Sequence, residues 1–409
     1  MEDDRAEMPH DSDARLSVPP VNRQPLPRLV VLLGVVSMFN DAASEMVTPL
    51  LPLVVTATLG GGPLIVAVIE GLAEAASSLL KLASGWLADR GWSHRRLVFG
   101  GYLISNVARP LIGLASGWGG VMTLRSLDRA GKGIRTSPRD ALISAAVDID
   151  TRGRAFGFHR AMDHGGAIIG PALALPLLAI GLPIEQVFLV SAVPGALALI
   201  TLRFTLPDTP RTAPLAAAWP RWTSLDSQLR GLIVAAAALT LSTLPEALLV
   251  LWAHRNGIGM LWIPALWALA HVVKLSVAYG AGALSDRVGR PPVVVGGWCS
   301  RVAVLILIAA GATGALAVSA LFLLYAAALA ATEAAERALI GDLAPADQKA
   351  TAFGAYHLVC GLFALPSAAL FGWVWEAIGL AAAFLLAACG TAAAAITLMV
   401  MAPRPHANR

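Results

Sequence analysis

Gly85-Trp86-Leu87-Ala88-Asp89-Arg90 returns as Gly282-Ala283-Leu284-Ser285-Asp286-Arg287, and this recurrence decides the fold. The matched positions lie 197 residues apart, 85 to 282 and 89 to 286. The same offset carries Ala155-Phe156-Gly157 onto Ala352-Phe353-Gly354, and Ala141-Leu142-Ile143 onto Ala338-Leu339-Ile340. A register held without a gap from 85 to 157 marks two tandem copies of one unit.

Each copy is built of apolar segments. The chain is 57% hydrophobic and only 14% charged, with a mean hydropathy of +0.69, whereas soluble proteins carry about 25% charged residues. Stretches of about 20 apolar residues, each long enough to cross a bilayer as a helix, recur along nearly the whole length. The first six run roughly over 29–55, 64–88, 97–115, 119–146, 154–179 and 184–204. The second six run over 231–253, 259–284, 293–312, 316–343, 350–375 and 379–402. Segments 119–146 and 316–343 are charged enough that they count as spans largely because the repeat requires them. The expected fold is an all-α membrane protein of twelve transmembrane helices, arranged as two six-helix pseudo-repeats. Its parts are a disordered tail (1–27), a bundle (28–204), a linker (205–230), a second bundle (231–402) and a short tail (403–409).

Charge sets the orientation. Segments that end on one side expose Arg90, Arg95, Arg96, Arg152, Arg203, Arg211, Arg221, Arg230, Arg287, Arg290 and Lys349, and the opposite loops carry little beyond Arg255. That asymmetry places both termini in the cytoplasm, in a bacterial inner membrane. The net charge of +4 therefore reports topology and does not call for nucleic acid. Residues 1–27 lack an apolar core and read as a tail, not a signal peptide. Cys299, Cys360 and Cys389 fall within apolar segments and read as small hydrophobic residues, not disulfide or metal partners. Gly131-Lys132-Gly133 lacks the spacing and the Ser/Thr of a phosphate loop. The expectation is a monomer without cofactor or metal, driven by a gradient and not by ATP, and no nucleophile–base arrangement suggests an enzyme.

Two six-helix halves, a central linker and the repeated loop together resemble the major facilitator superfamily over residues 28–402. Its G-x-L-x-D-R-x-G-R signature is complete as Gly282, Leu284, Asp286, Arg287, Gly289 and Arg290. The first copy keeps Gly85, Asp89 and Arg90, but Trp92 stands at the second glycine position and Gly91 comes one residue early. The resemblance implies that these loops hold the cytoplasmic ends together in one state of a transport cycle. Arg125 with Gly131 and Gly133 is similar to a pattern that many members associate with proton coupling. Gly166, Gly170 and Pro171 resemble half of an antiporter motif, and equally a helix-packing site. The run from Leu127 to Asp140 looks like the signature of a bacterial subgroup with no assigned substrate.

Charges inside the membrane cost roughly 2.5–3.5 kcal/mol each on insertion scales, so they must pair or face water. Arg125, Arg129, Lys132, Arg135 and Arg139 recur on one helix face. Asp41 and Glu45 lie in segment 1, Glu70, Glu74 and Lys81 in segment 2, and Arg160, Asp163 and His164 in segment 5. The second copy is poorer, with Glu246, His271, Lys274, Arg301, Glu333, Glu336, Arg337 and His357. The expected proton-coupling residues are Asp41, Glu45, Glu74 and Asp163. The expected cavity residues are Arg125, Arg129, Lys132, Arg160, His164 and Glu333. Lys81, Arg139, Asp140 and Arg337 read as structural or gating charges. Trp118, Trp252, Trp262, Trp373 and Trp375 read as interface anchors. Pro49, Pro52, Pro138 and Pro245 should interrupt their helices.

These residues suit a proton-coupled secondary active transporter that works by alternating access and moves a small organic, anionic solute. The alternatives are a proton-linked multidrug or metallophore exporter and, from another class, a lipid flippase or non-transporting sensor on the same fold.

Overall fold

The computed structural model describes residues 25–148, 151–206, 227–343 and 349–401. The tails and most of the 205–230 linker lie outside those residues. Every regular element among them is helical: α1 (Arg28–Val47), α2 (Leu51–Leu53), α3 (Pro63–Asp89), α4 (His94–Leu111), α5 (Trp118–Ala145), α6 (Arg152–Ala179), α7 (Ile184–Val190) and α8 (Ala192–Thr205) in the first copy. The second copy holds α9 (Ser227–Leu241), α10 (Glu246–Arg255), α11 (Ile263–Val288), α12 (Arg290–Ala309), α13 (Ala315–Leu343), α14 (Lys349–Ala377) and α15 (Leu380–Met401). Short pieces join into single crossings: α1, α2 and a π-helical turn (Val54–Thr58), then α7 with α8, then α9 with α10.

Eleven of these crossings are long and apolar enough to span a bilayer. The twelfth, α5, has the length, at 28 residues, but carries Arg125, Asp128, Arg129, Lys132, Arg135, Arg139 and Asp140. A lone α5 would be a poor span, and its neighbours must supply what lipid cannot.

Prolines act unequally. The chain leaves helix at 48–50, before Pro52, and again at 243–245, where Pro245 precedes α10. Both breaks were expected. Pro138, expected to interrupt its segment, does not: α5 continues through it to Ala145. A proline removes one backbone N–H and crowds the preceding turn, and packed neighbours can absorb that within a membrane helix. The two Asp-Arg loops also differ in a definite way. Gly289 takes φ +92° in the second loop, and Gly91 takes φ +87° in the first. The left-handed residue has moved one place back, which leaves Trp92 free to be a side chain-bearing residue.

The apolar core shows how the halves sit. At the end opposite the Asp-Arg loops one continuous cluster joins both halves, from Met46, Leu50 and Val54 to Leu248, Trp252, Phe371 and Phe384. At the loop end there are two separate clusters. One holds Val30, Val98, Tyr102 and Leu202 of the first half, and the other holds Ile233, Val294, Trp298 and Leu398 of the second. Between the halves α3 lies along α14, and α6 along α11. The molecule is sealed at one end and parted at the loop end. Trp252 and Trp375, expected as interface anchors, belong to the sealed core, each about 6.1 Å from the Phe384 ring. Trp118, Trp262 and Trp373 are exposed near helix ends, as anchors should be.

Candidate functional site

Helix α5 organises the first half through charge. Arg125 donates from Nε and Nη2 to the two oxygens of Glu70 at 2.9 and 3.1 Å, a bidentate pair between α5 and α3. Its Nη1 reaches Asp128 at 3.4 Å, and Asp128 accepts from Arg109 Nη2 of α4 at 2.8 Å. Arg109 Nη1 donates to Asn106 Oδ1 at 3.0 Å, Asn106 Nδ2 to Asn40 at 3.2 Å, and Asn40 Nδ2 to Asp41 Oδ1 at 3.1 Å. A continuous polar chain thus runs from Asp41 on α1 to Glu70 on α3. Arg109 and Arg125 are fully buried, so each pairing replaces water that the interior lacks.

That geometry corrects one expectation. Arg125 was placed on the cavity wall, and the structure encloses it among α3, α4 and α5. It also adds residues that the sequence reading passed over. Arg109, Asn106 and Asn40 carry the network, and the available signal was a single Arg in the middle of apolar segment 97–115. Arg135 is buried as well, donating to Ser105 Oγ at 2.7 Å with its guanidinium 4.4 Å from the Tyr102 ring centre. Arg139 pairs with Asp140 at 2.9 Å and donates to Ser37 at 3.2 Å.

Arg129 and Lys132 differ from these. Both are partly exposed, and neither makes a direct hydrogen bond or ion pair with a described residue. Asp128, Glu70, Glu45 and Glu74 act on Arg129 at longer range, and Asp41 and Glu74 act on Lys132. Glu74 is exposed, and its one direct contact is Ser78 Oγ at 3.4 Å. Beside these charges a cavity of about 250 Å³ opens between the halves. It is lined by Glu70 and Glu74 of α3, Thr243 and Pro245 at the α9–α10 break, and Cys360 of α14.

Near the centre and the open mouth, charged contacts cross between the halves. Trp267 Nε1 of α11 donates to Glu45 Oε2 of α1 at 2.9 Å. His271 Nε2 stands 3.9 Å from the same oxygen, with the His164 ring of α6 centred 6.5 Å away. Arg160 of α6 pairs with Glu333 of α13 at 2.7 Å, both about half exposed in the open mouth. Asp163 is turned instead to His159, 3.5 Å away, and to Arg160 at 4.0 Å. The predicted residues therefore form two groups: Asp41, Glu45, Glu74, Arg129, Lys132 and His164 around the centre, and Arg160, Asp163 and Glu333 nearer the opening.

The offset of 197 compares the two interiors. It maps Glu70 onto Trp267 and Arg125 onto Phe322. Where the first half has a bidentate ion pair, the second has an aromatic pair with ring centres 6.2 Å apart and edge to face. Asp128 becomes Tyr325, likewise buried. Motif glycines serve packing on both sides of α5 and α6. Gly131 lies against Gly101 and Ser105 of α4, Gly133 against Ser77 of α3, and Gly166 and Gly170 against Met38 and Ala42 of α1.

At the loop end Asp89 and Arg90 are exposed, with Arg90 stacked 3.8 Å from the Trp86 ring centre. Arg287 is exposed and Arg290 donates to Ser285 Oγ at 2.9 Å. Gly85 and Gly282 are half-buried in the last turns before the loops. The side chains of Asp286 and Arg337 lie outside the described residues.

Comparison with known proteins agrees with this architecture. An uncharacterised MFS-type transporter of Methanocaldococcus jannaschii is 33% identical over 362 residues, covering 87% of this chain and 90% of the relative. An uncharacterised protein of Mycobacterium tuberculosis is 29% identical and covers 85% and 87%. Among solved structures, a POT family transporter in complex with 5-aminolevulinic acid superposes with a TM-score of 0.79 at 12% identity, over 92% of this chain and 96% of that one. A nucleoside transporter superposes with a TM-score of 0.75 at 14% identity, over 92% and 100%. The profile of the Major Facilitator Superfamily matches residues 33–276, and with two six-helix halves around a charged central cavity, the chain belongs to that superfamily.

Proposed function

We propose that the protein is a proton-coupled secondary transporter that moves a small organic anion by alternating access across the bacterial inner membrane, as a monomer. The observation that carries the reading is the state of Arg129 and Lys132. Two partly exposed cations of α5 stand without a direct partner among the described residues, with the carboxylates Asp128, Glu70, Glu45 and Glu74 acting on Arg129 and Asp41 and Glu74 on Lys132 at longer range. An anion entering there would pair with the cations, and a proton on a carboxylate would remove its competition for them. Anion and proton therefore favour each other's binding, which is the coupling a symporter or its reversal requires.

The sealed end and the parted loop end describe one of the two states that the cycle needs. With the termini in the cytoplasm, the described state opens inward. The second state requires α3 to part from α14 while the Asp-Arg loops approach each other. The loops are suited to that closure, because Asp89 and Arg90 stand exposed at a helix end where both charge and helix dipole can engage a partner.

The test is transport by purified protein in liposomes, screened over carboxylate- and phosphate-bearing solutes with and without an imposed pH gradient. Arg129→Gln and Lys132→Gln should each lower uptake of the responsive solute about tenfold or more while the protein remains folded, since each removes a charged contact. Transport indifferent to the gradient in the unmodified protein would end the proton-coupling reading. Unchanged anion uptake in both variants would end the anion-site reading.

A further inference from the structure

Among the buried polar groups near the interface between the halves, the imidazole of His271 is incomplete. Both of its ring nitrogens are buried without a hydrogen-bond partner. An unsatisfied buried nitrogen costs about 1–3 kcal/mol, so its persistence asks for an occupant. Nε2 points at Glu45 Oε2 across the interface between the halves, 3.9 Å away, just beyond hydrogen-bond length. Glu45 Oε2 already accepts from Trp267, and the indole holds the imidazole edge to face with ring centres 5.7 Å apart. A small rotation of an imidazolium would complete the contact with Glu45, whereas a neutral ring protonated on Nδ1 has no donor to offer it.

We propose that Glu45 and His271 share one proton and together form the coupling site, which exists only where α1 of the first half meets α11 of the second. The proposal rests on the reading of the protein as a proton-coupled transporter and supplies the second residue of its proton site. The proton arrives from water in the open cavity, settles on Nε2 and turns the near contact into an ion pair between the halves. Its loss leaves Glu45 held to α11 by the Trp267 hydrogen bond without the ion pair.

The surrounding charges are paired elsewhere or act on the two groups at longer range. Lys274 on α11 is held by Glu246 of α10 through bonds of 2.7 and 2.9 Å. Arg129 and Lys132 of α5 act on Glu45 without a direct contact. On α6, His164 faces His271, while Asp163 and Arg160 are engaged with His159 and with Glu333 of α13. The repeat sharpens the assignment. His271 corresponds to Glu74 and Glu45 to Ser242, so the symmetric interface has no acid–imidazole pair, and the site is single.

The direct experiment is NMR of the full chain in nanodiscs with isotopically labelled histidine. The His271 ring is assigned by its absence in His271→Gln, or in His271→Asn if the first variant does not fold. At pH 6 the imidazolium-to-imidazole ratio of His271 should fall about tenfold or more in Glu45→Gln, since an opposite charge this close favours the charged ring. Trp267→Phe should leave the dependence on Glu45 in place. A His271 signal that ignores Glu45→Gln, or that stays neutral down to pH 5, overturns the proposal. Liposomes separate this failure from the larger one. If His271→Gln retains gradient-driven uptake of the solute found by the screen, the shared site is wrong and proton coupling stands. If the unmodified protein ignores the gradient, the transport reading is wrong whatever the ring reports.

Discussion

Asp128 answers two buried arginines at once. Asp128→Asn should destabilise the protein by about 3–5 kcal/mol, the range for leaving a buried charge without its partner. The check is a thermal unfolding midpoint in detergent, and a change no larger than that of Glu74→Gln would refute it. Glu74→Gln should be nearly neutral, since its carboxylate is exposed. The sequence displays that α5 is cationic, because charges stand out against an apolar background. It does not display which cation is buried. At 100° per residue, Arg125 to Arg139 cover an arc of about 120°, and one helical wheel cannot separate its edges. Arg125 points nearly the same way as Arg129 but lies one turn closer to the sealed end, where Glu70 closes over it. Depth along the axis decides the role, and depth is a tertiary property. Arg109 was legible only as an isolated charge whose partner, Asp128, sat in a segment read for its cations.

Helix α5 can carry this load because it lies unusually close to α4 and α3. A β-carbon added at Gly131 would meet Gly101 O and Ser105 Oγ, while one added at Gly100 meets nothing within 4 Å. Gly131→Ala should therefore cost about 1–3 kcal/mol through overpacking, and Gly100→Ala should cost nothing comparable. Matched melting curves in nanodiscs decide it, with equal shifts counting against close packing. At this scale much was legible. Twelve crossings followed from apolar length together with the repeat, and Pro49, Pro52 and Pro245 announced the broken first crossings. Pro138 misled, since a proline's effect depends on whether neighbours resupply what it removes. The π-helical turn over Val54–Thr58 had no sequence signal, because its residues differ little from any other apolar turn.

For the whole molecule, the sealed end has a hydrogen-bonded latch. Glu376 at the end of α14 accepts from the Leu64 N–H at the start of α3 at 2.9 Å. Losing one such bond, about 1 kcal/mol, should shift the balance of states about fivefold. Glu376→Ala should raise labelling of an Ile65→Cys reporter by an impermeant maleimide to that extent, with Cys299, Cys360 and Cys389 replaced by serine. Equal labelling rates would remove Glu376 from the seal. The asymmetry between an ionic first half and an aromatic second half also bears on how the chain enters its membrane. Segment α5 is too charged to partition into lipid by itself, but the ion-pair partners that Arg125 and Asp128 find on other helices are made before it. Arg109 precedes Asp128 by 19 residues, and Glu70 precedes Arg125 by 55. A nascent α5 leaving the ribosome finds its acids and bases already threaded, so its insertion is an act of assembly on earlier helices. Reordering the first four crossings, even with every residue retained, should strand α5 outside the bilayer.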